Sequence, residues 1–371
     1  MKKLTALFIA ASMIASMVAF TGCSKTDSDD NNTKIENTDS NDSEENIVDN
    51  TNDKDESQET VVESATSTLE LIELDGDINT TFTTDNVCYA ESDRVIMIFD
   101  EGVEVNGYML EAVEVAMTNI ENTTGKDFTF KPGAENEQSF VLGLYLPAGT
   151  SYEAIEGIDS KVVVLVSDNI GIAQAYSNTL ALETFNFSDL ENVYVTIHHE
   201  LTHVLQFMNG IELTSTMNEG LATYISNRAL EEAGKPEWDK IQYFSDVTID
   251  DANALSGEEG FVNVTEHDQG YQFGYRFIYY LFEIYGDDIF WEIGDAAKEA
   301  GFTSSFSDSD IDGSGYISEE ALIRKNQEMA DIIKDVCGED VFDNFATWYG
   351  ENWASIGEET FASREAAEAN S

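Results

Sequence analysis

Between positions 192 and 208 the apolar residues recur at helical spacing. Val193, Ile197, Leu201, Val204 and Met208 lie at i, i+4, i+8, i+11 and i+15, one stripe of an amphipathic helix. Ser188, with Glu191 three places on, has the form of a capping box, and Asn209-Gly210 supplies a stop signal. Upstream the pattern changes to short runs rich in Val, Phe, Ile and Leu. Residues 94–99, 127–131, 140–146 and 161–167 read as strands, and 172–178 reads as the edge of their sheet. Among them, 108–122 carries Leu110, Val113, Met117 and Ile120 on one helical face and closes at Thr124-Gly125. Downstream of 192 the pattern is helical nearly throughout. It predicts a helix bearing Glu219, one over 271–285 and two near 319–336 and 341–353, with a Glu- and Ala-rich end over 358–371 that reads as a frayed tail. Strands first and helices afterwards predict an α+β fold. A small mixed β-sheet lobe over 69–190 is followed by a mostly helical lobe over 191–371.

The amino-terminal 68 residues do not fit that scheme. Met1-Lys2-Lys3, an apolar run over 4–20 and Thr21-Gly22-Cys23 have the form of a secretory signal over 1–22. The run is shorter than the roughly 20 residues of a spanning helix. Glycine directly before Cys23 is similar to the bacterial lipoprotein signal, which implies a lipid-modified Cys23 holding the protein on the extracellular face of the cell membrane. Simple secretion with cleavage nearby is the other reading. Residues 23–68 are dense in Asp, Asn, Ser, Thr and Glu and cannot bury enough surface to offset ordering entropy, so they predict a disordered acidic tether.

The net charge of −55 excludes a nucleic-acid-binding surface, which needs clustered positive charge. With Cys23 set aside, Cys88 and Cys337 are left either to pair or to stand as two buried thiols.

The predicted helix over 192–208 carries His199-Glu200-Leu201-Thr202-His203, with three of the chain's four histidines in one segment. Positions i and i+4 share a helix face, so His199 and His203 can present two imidazoles to one metal ion, with Glu200 beside them to handle protons. A third ligand from a following helix would complete a catalytic zinc site with one position open for water. Asn218-Glu219-Gly220-Leu221-Ala222 places Glu219 there. Two other readings stand at this point. Thr216-Met217-Asn218-Glu219 also has capping-box form, in which Glu219 would bond backbone, and Glu212 or Glu231 could serve as the ligand.

HELTH followed by NEGLA resembles the gluzincin branch of the zinc metallopeptidases. Gly270-Tyr271-Gln272-Phe273-Gly274 is similar to the Tyr-x-x-Gly helix of its aminopeptidase members. The resemblance covers about 193–286, and it implies a zinc cleft between the two lobes with Glu219 as third ligand. It implies Glu200 as the general base of peptide hydrolysis and Tyr271 as the residue that stabilises the oxyanion. It also implies a sheet edge, at 172–178, along which an extended peptide or protein substrate pairs. The gap from His203 to Glu219 is shorter than in the aminopeptidases and their exopeptidase motif is absent, so aminopeptidase activity does not follow.

Four further features qualify this picture. His198 points about 100° away from His199 and reads as a neighbour of the site or a surface residue. His267 stands in a polar stretch just before Tyr271, and Tyr275 is a rival one turn beyond it. Asp308, Asp310, Asp312 and Glu319 fit a calcium loop over 308–319, with a second register beginning at Asp310 that puts Ala321 where the bidentate Glu belongs. Calcium is therefore a second expected ion, and an acidic turn between helices is the plain alternative. A rival function from another class is a surface lipoprotein that binds peptides or a partner without cleaving them.

Overall fold

The computed structural model describes residues 80–84, 87–100, 103, 107–131, 157–188, 192–232 and 257–370. The signal over 1–22, the tether over 23–68 with Cys23, and the strand expected over 140–146 lie outside them.

Among the described residues six strands form one mixed sheet: β1 (Thr80–Thr84), β2 (Val87–Glu91), β3 (Val95–Phe99), β4 (Val162–Val166), β5 (Gln174–Tyr176) and β6 (Thr179–Leu182). Their spatial order is β1-β2-β3-β4-β6-β5, with β3, β4 and β6 parallel and the outer pairings antiparallel. The central runs VIMIF and VVVLV are buried at every position, as strands covered on both faces require. Alternation divides them. Val95, Met97, Phe99, Val162, Val164 and Val166 enter the main core, while Ile96, Ile98, Val163 and Leu165 pack on the other face with Ile158 and Ile170. The edge assigned to 172–178 is β5, the outermost strand.

Helix α1 (Gly107–Thr124) connects the parallel neighbours β3 and β4, and ends at Gly125 with φ 65°. Its Val113, Met117 and Ile120 meet the sheet in the main core. The segment 127–131 is not a strand. Its backbone instead serves the end of the histidine helix: Lys131 N–H donates to Met208 O at 2.7 Å, and Asp127 O accepts from Asn209 Nδ2 at 3.1 Å. Alternating Phe128 and Phe130 mimic strand periodicity, but the partner is a helix terminus.

The helical part opens with a π-helical turn, Val193–Ile197, that runs directly into α2 (His198–Met208). Then follow α3 (Ser215–Glu232), α4 (Glu258–Val262), α5 (His267–Tyr285), α6 (Ile289–Ala300), α7 (Glu319–Cys337) and α8 (Val341–Asn370). The tail expected to fray from 358 continues α8 to Asn370, in keeping with the helix propensity of Ala and Glu. One continuous buried cluster runs from Val95 and Val164 through Val193 and Leu201 to Phe277 and Phe345, so sheet and helices share a core. Cys337 is a free thiol, pushed up to about 12 by burial, and the side chain of Cys88 lies outside the described residues. Among the described residues no helix is long and apolar enough to cross a membrane.

Helices α3 and α5 cross at two glycines. A Cβ on Gly220 would lie 2.4 Å from the carbonyl carbon of Gly274, and one on Gly274 would lie 2.0 Å from Thr216 O. Only glycine permits this backbone approach. It sets the helix of Glu219 against the helix of Tyr271.

Candidate metal centre

Three side-chain atoms converge where α2 meets α3. His199 Nε2, His203 Nε2 and Glu219 Oε2 each lie 3.2 Å from the other two. Such a triangle is one face of a regular tetrahedron whose centre stands about 2.0 Å from every corner, the length of zinc bonds to imidazole nitrogen and carboxylate oxygen. The donor set of two imidazoles and a carboxylate also suits that ion. Among the described residues this is the one group of His, Cys, Asp or Glu side chains close enough to hold a metal. The two rings meet edge to face with centroids 4.9 Å apart, the disposition expected one turn apart on a helix.

The electrostatics follow from this packing. Burial raises the Glu219 carboxyl, but the two imidazoles outweigh it and hold it well below the usual range. Burial lowers the His203 imidazole, and the Glu219 carboxylate overcomes that and lifts it to about 9. Without metal, therefore, His203 and Glu219 form an ion pair. Glu200 lies beside the group, and burial pushes its carboxyl above the ordinary value against the pull of both imidazoles.

The alternatives for the third ligand are committed elsewhere. Glu212 Oε1 accepts from Thr303 Oγ1 at 2.8 Å and from Ser304 N–H and Oγ at 3.0 Å. Glu231 is exposed near the far end of α3 and pairs with Arg228 at 3.5 Å. Glu219 Oε2 faces the two histidines, not a helix cap.

His198 is neither ligand nor surface residue. It is fully buried, its Nδ1–H donates to Val193 O at 3.1 Å, and its Nε2 accepts from Asn119 Nδ2 at 3.4 Å. Burial drives it down to about 4, so it is a neutral core imidazole that fastens the π-helical turn to α1. The 100° offset from His199 turned it into the core rather than outward.

Tyr271 is at the site: its ring stacks on His199 with centroids 5.7 Å apart and planes 24° from parallel. Tyr275 is 1% exposed and packs against Tyr224 and Tyr279. His267 begins α5, and its side chain lies outside the described residues.

Among the described residues, no three carboxylates of 308–319 lie close enough together to hold a metal. Asp310 Oδ2 accepts from Ser307 N–H at 2.8 Å and Oγ at 2.7 Å, and its Oδ1 takes Arg324 Nη2 at 2.8 Å. Asp312 Oδ1 accepts from Ser314 and Tyr316 N–H, a short Ile311–Ile317 bridge closes the loop, and Gly315 takes φ 89°. Asp308 and Glu319 are exposed. The acidic loop is thus held by internal donors and an arginine.

One polar residue at the site was not anticipated. Gln206, one turn beyond His203, is buried and bonds that histidine. An i,i+3 relation to a candidate ligand was the available signal.

No family model and no curated protein matches the chain.

Proposed function

We propose that this protein is a zinc metallopeptidase of the gluzincin kind, in which His199, His203 and Glu219 hold the ion. The equilateral triangle of ligand atoms carries this reading. A bound zinc supplies the Lewis acidity that polarises a peptide carbonyl and eases deprotonation of water.

The chain supplies the remainder. Glu200 takes the proton from the attacking water and returns it to the leaving amine. Tyr271, stacked on His199, donates its hydroxyl hydrogen to the carbonyl oxygen as that oxygen becomes negative. The substrate lies between sheet and helices, with β5 as the strand along which an extended peptide pairs. The contact of Tyr176 on β5 with Phe207 on α2, centroids 6.0 Å apart, supports that placement. On the sequence pattern of 1–23 the enzyme works outside the cytoplasm, tethered through Cys23. Release of a Cys23→Ser protein from the membrane fraction tests the anchor, and its retention there would contradict it.

The deciding assay is digestion of a mixed peptide library by the full chain, with and without a zinc chelator, beside Glu200→Gln. Chelator-sensitive cleavage that Glu200→Gln abolishes is expected. Cleavage that survives in Glu200→Gln, or none by zinc-loaded wild type, would contradict the assignment.

A further inference from the structure

Gln206 is 2% exposed, and both ends of its amide are engaged. Its Nε2 donates to Asn218 O at 3.3 Å, and its Oε1 lies 2.9 Å from His203 Nδ1. A backbone carbonyl only accepts, so the amide nitrogen faces Asn218 and the amide oxygen faces the imidazole. That oxygen also only accepts, so Nδ1 of His203 carries the proton. When a metal takes the place of the Nε2 proton, Nδ1 keeps its own, and Nε2, the atom that faces His199 and Glu219, is the ring's ligating nitrogen.

The same side chain reaches the peptide unit that immediately precedes Glu219. That unit is fixed from its own side by Asn218 Nδ2 donating to Leu213 O at 3.2 Å. One buried amide therefore spans α2 and α3 and touches the surroundings of two of the three ligand atoms.

Resting on the reading that these residues hold a metal, we propose that Gln206 is a positioning residue for the centre. It selects the tautomer of His203 and locks the helix of Glu219 to the helix of the two histidines. Partners of this sort orient a metal-binding imidazole, and their removal lowers metal affinity about 10–100-fold. A glutamine that only filled space would affect folding of the metal-free protein but neither tautomer nor affinity.

The test is zinc affinity of the full chain, by competition with a chromophoric chelator, for wild type, Gln206→Leu and Gln206→Glu. Nitrogen-15 NMR of the His203 ring in zinc-loaded wild type accompanies it. Leucine is expected to lose about 10–100-fold in affinity. Glutamate keeps an acceptor for Nδ1–H but has no donor for Asn218 O, so it is expected to recover only part of that affinity, and the NMR proton should sit on Nδ1. Unchanged affinity in Gln206→Leu overturns the proposal and leaves the metal centre standing, and loss with no recovery at all by glutamate, or an NMR proton on Nε2, overturns the tautomer role. Should the leucine variant fail to fold, the NMR decides, since a proton on Nε2 overturns the proposal. Wild type that takes up no zinc overturns the metal centre itself, and this inference with it.

Discussion

Gly274 stands so close to Gly220 that a Cβ built on it would lie 2.9 Å from the Gly220 Cα. This contact explains why glycine follows Glu219 directly and comes three residues after Tyr271. The two helices that carry a candidate ligand and a candidate oxyanion donor touch backbone to backbone.

Gly274→Ala puts a methyl 2.0 Å from Thr216 O, an atom that cannot swing aside as a side-chain end could. Overpacking of this kind costs about 1–3 kcal/mol. Denaturant unfolding is expected to show that loss, with weaker zinc binding as α3 moves. Wild-type stability in Gly274→Ala would mean that the helices do not meet this closely.

Tyr271 and Tyr275 separate by environment. The first stacks on His199, whereas the second is buried among Tyr224 and Tyr279. Tyr271→Phe removes only a hydroxyl, so zinc content and folding should survive while kcat falls on the order of 10²–10³-fold, the usual result of losing one oxyanion donor. Tyr275→Phe should retain near-normal kcat. The reverse pattern in steady-state kinetics would move the role one turn along α5.

The loop over 308–319 is expected to be indifferent to calcium. Asp310 is held down to about 2 by the Ser307 N–H and hydroxyl and by Arg324. A carboxyl depressed in the folded state stabilises above its unfolded value of 3.8, and that contribution disappears as pH falls through about 2. With this acceptor already used, millimolar calcium should leave the melting temperature unchanged. A calcium-dependent rise would show that the ion displaces Arg324 and binds the native state.

Much of this arrangement was legible because it depends on local spacing. The stripe from Val193 to Met208 gave the histidine helix, and the i,i+4 relation placed His199 and His203 on one face. The runs at 94–99 and 161–167 gave the central strands. What escaped depends on partners distant in sequence. The alternation of Phe128 and Phe130 could not reveal that Lys131 and Asp127 bond the end of α2. Strand β1 is nearly all threonine and pairs with β2 through backbone, so its apolar pattern is weak. Glu212 bonds Thr303, far along the chain, which no spacing encodes, whereas the Glu231–Arg228 pair is an i,i+3 relation that the sequence does carry. His198 showed only its angle to His199, and which side of α2 is core came from the sheet and α1.

The central claim is that His199, His203 and Glu219 hold one zinc ion, and the most direct measurement is metal content by native mass spectrometry. Wild type and Glu200→Gln should each carry one zinc per chain, because Glu200 moves a proton and does not ligate. Glu219→Ala removes a corner of the 3.2 Å triangle and should lose stoichiometric metal. Full zinc occupancy in Glu219→Ala, or a wild-type protein that takes up none, would contradict the account.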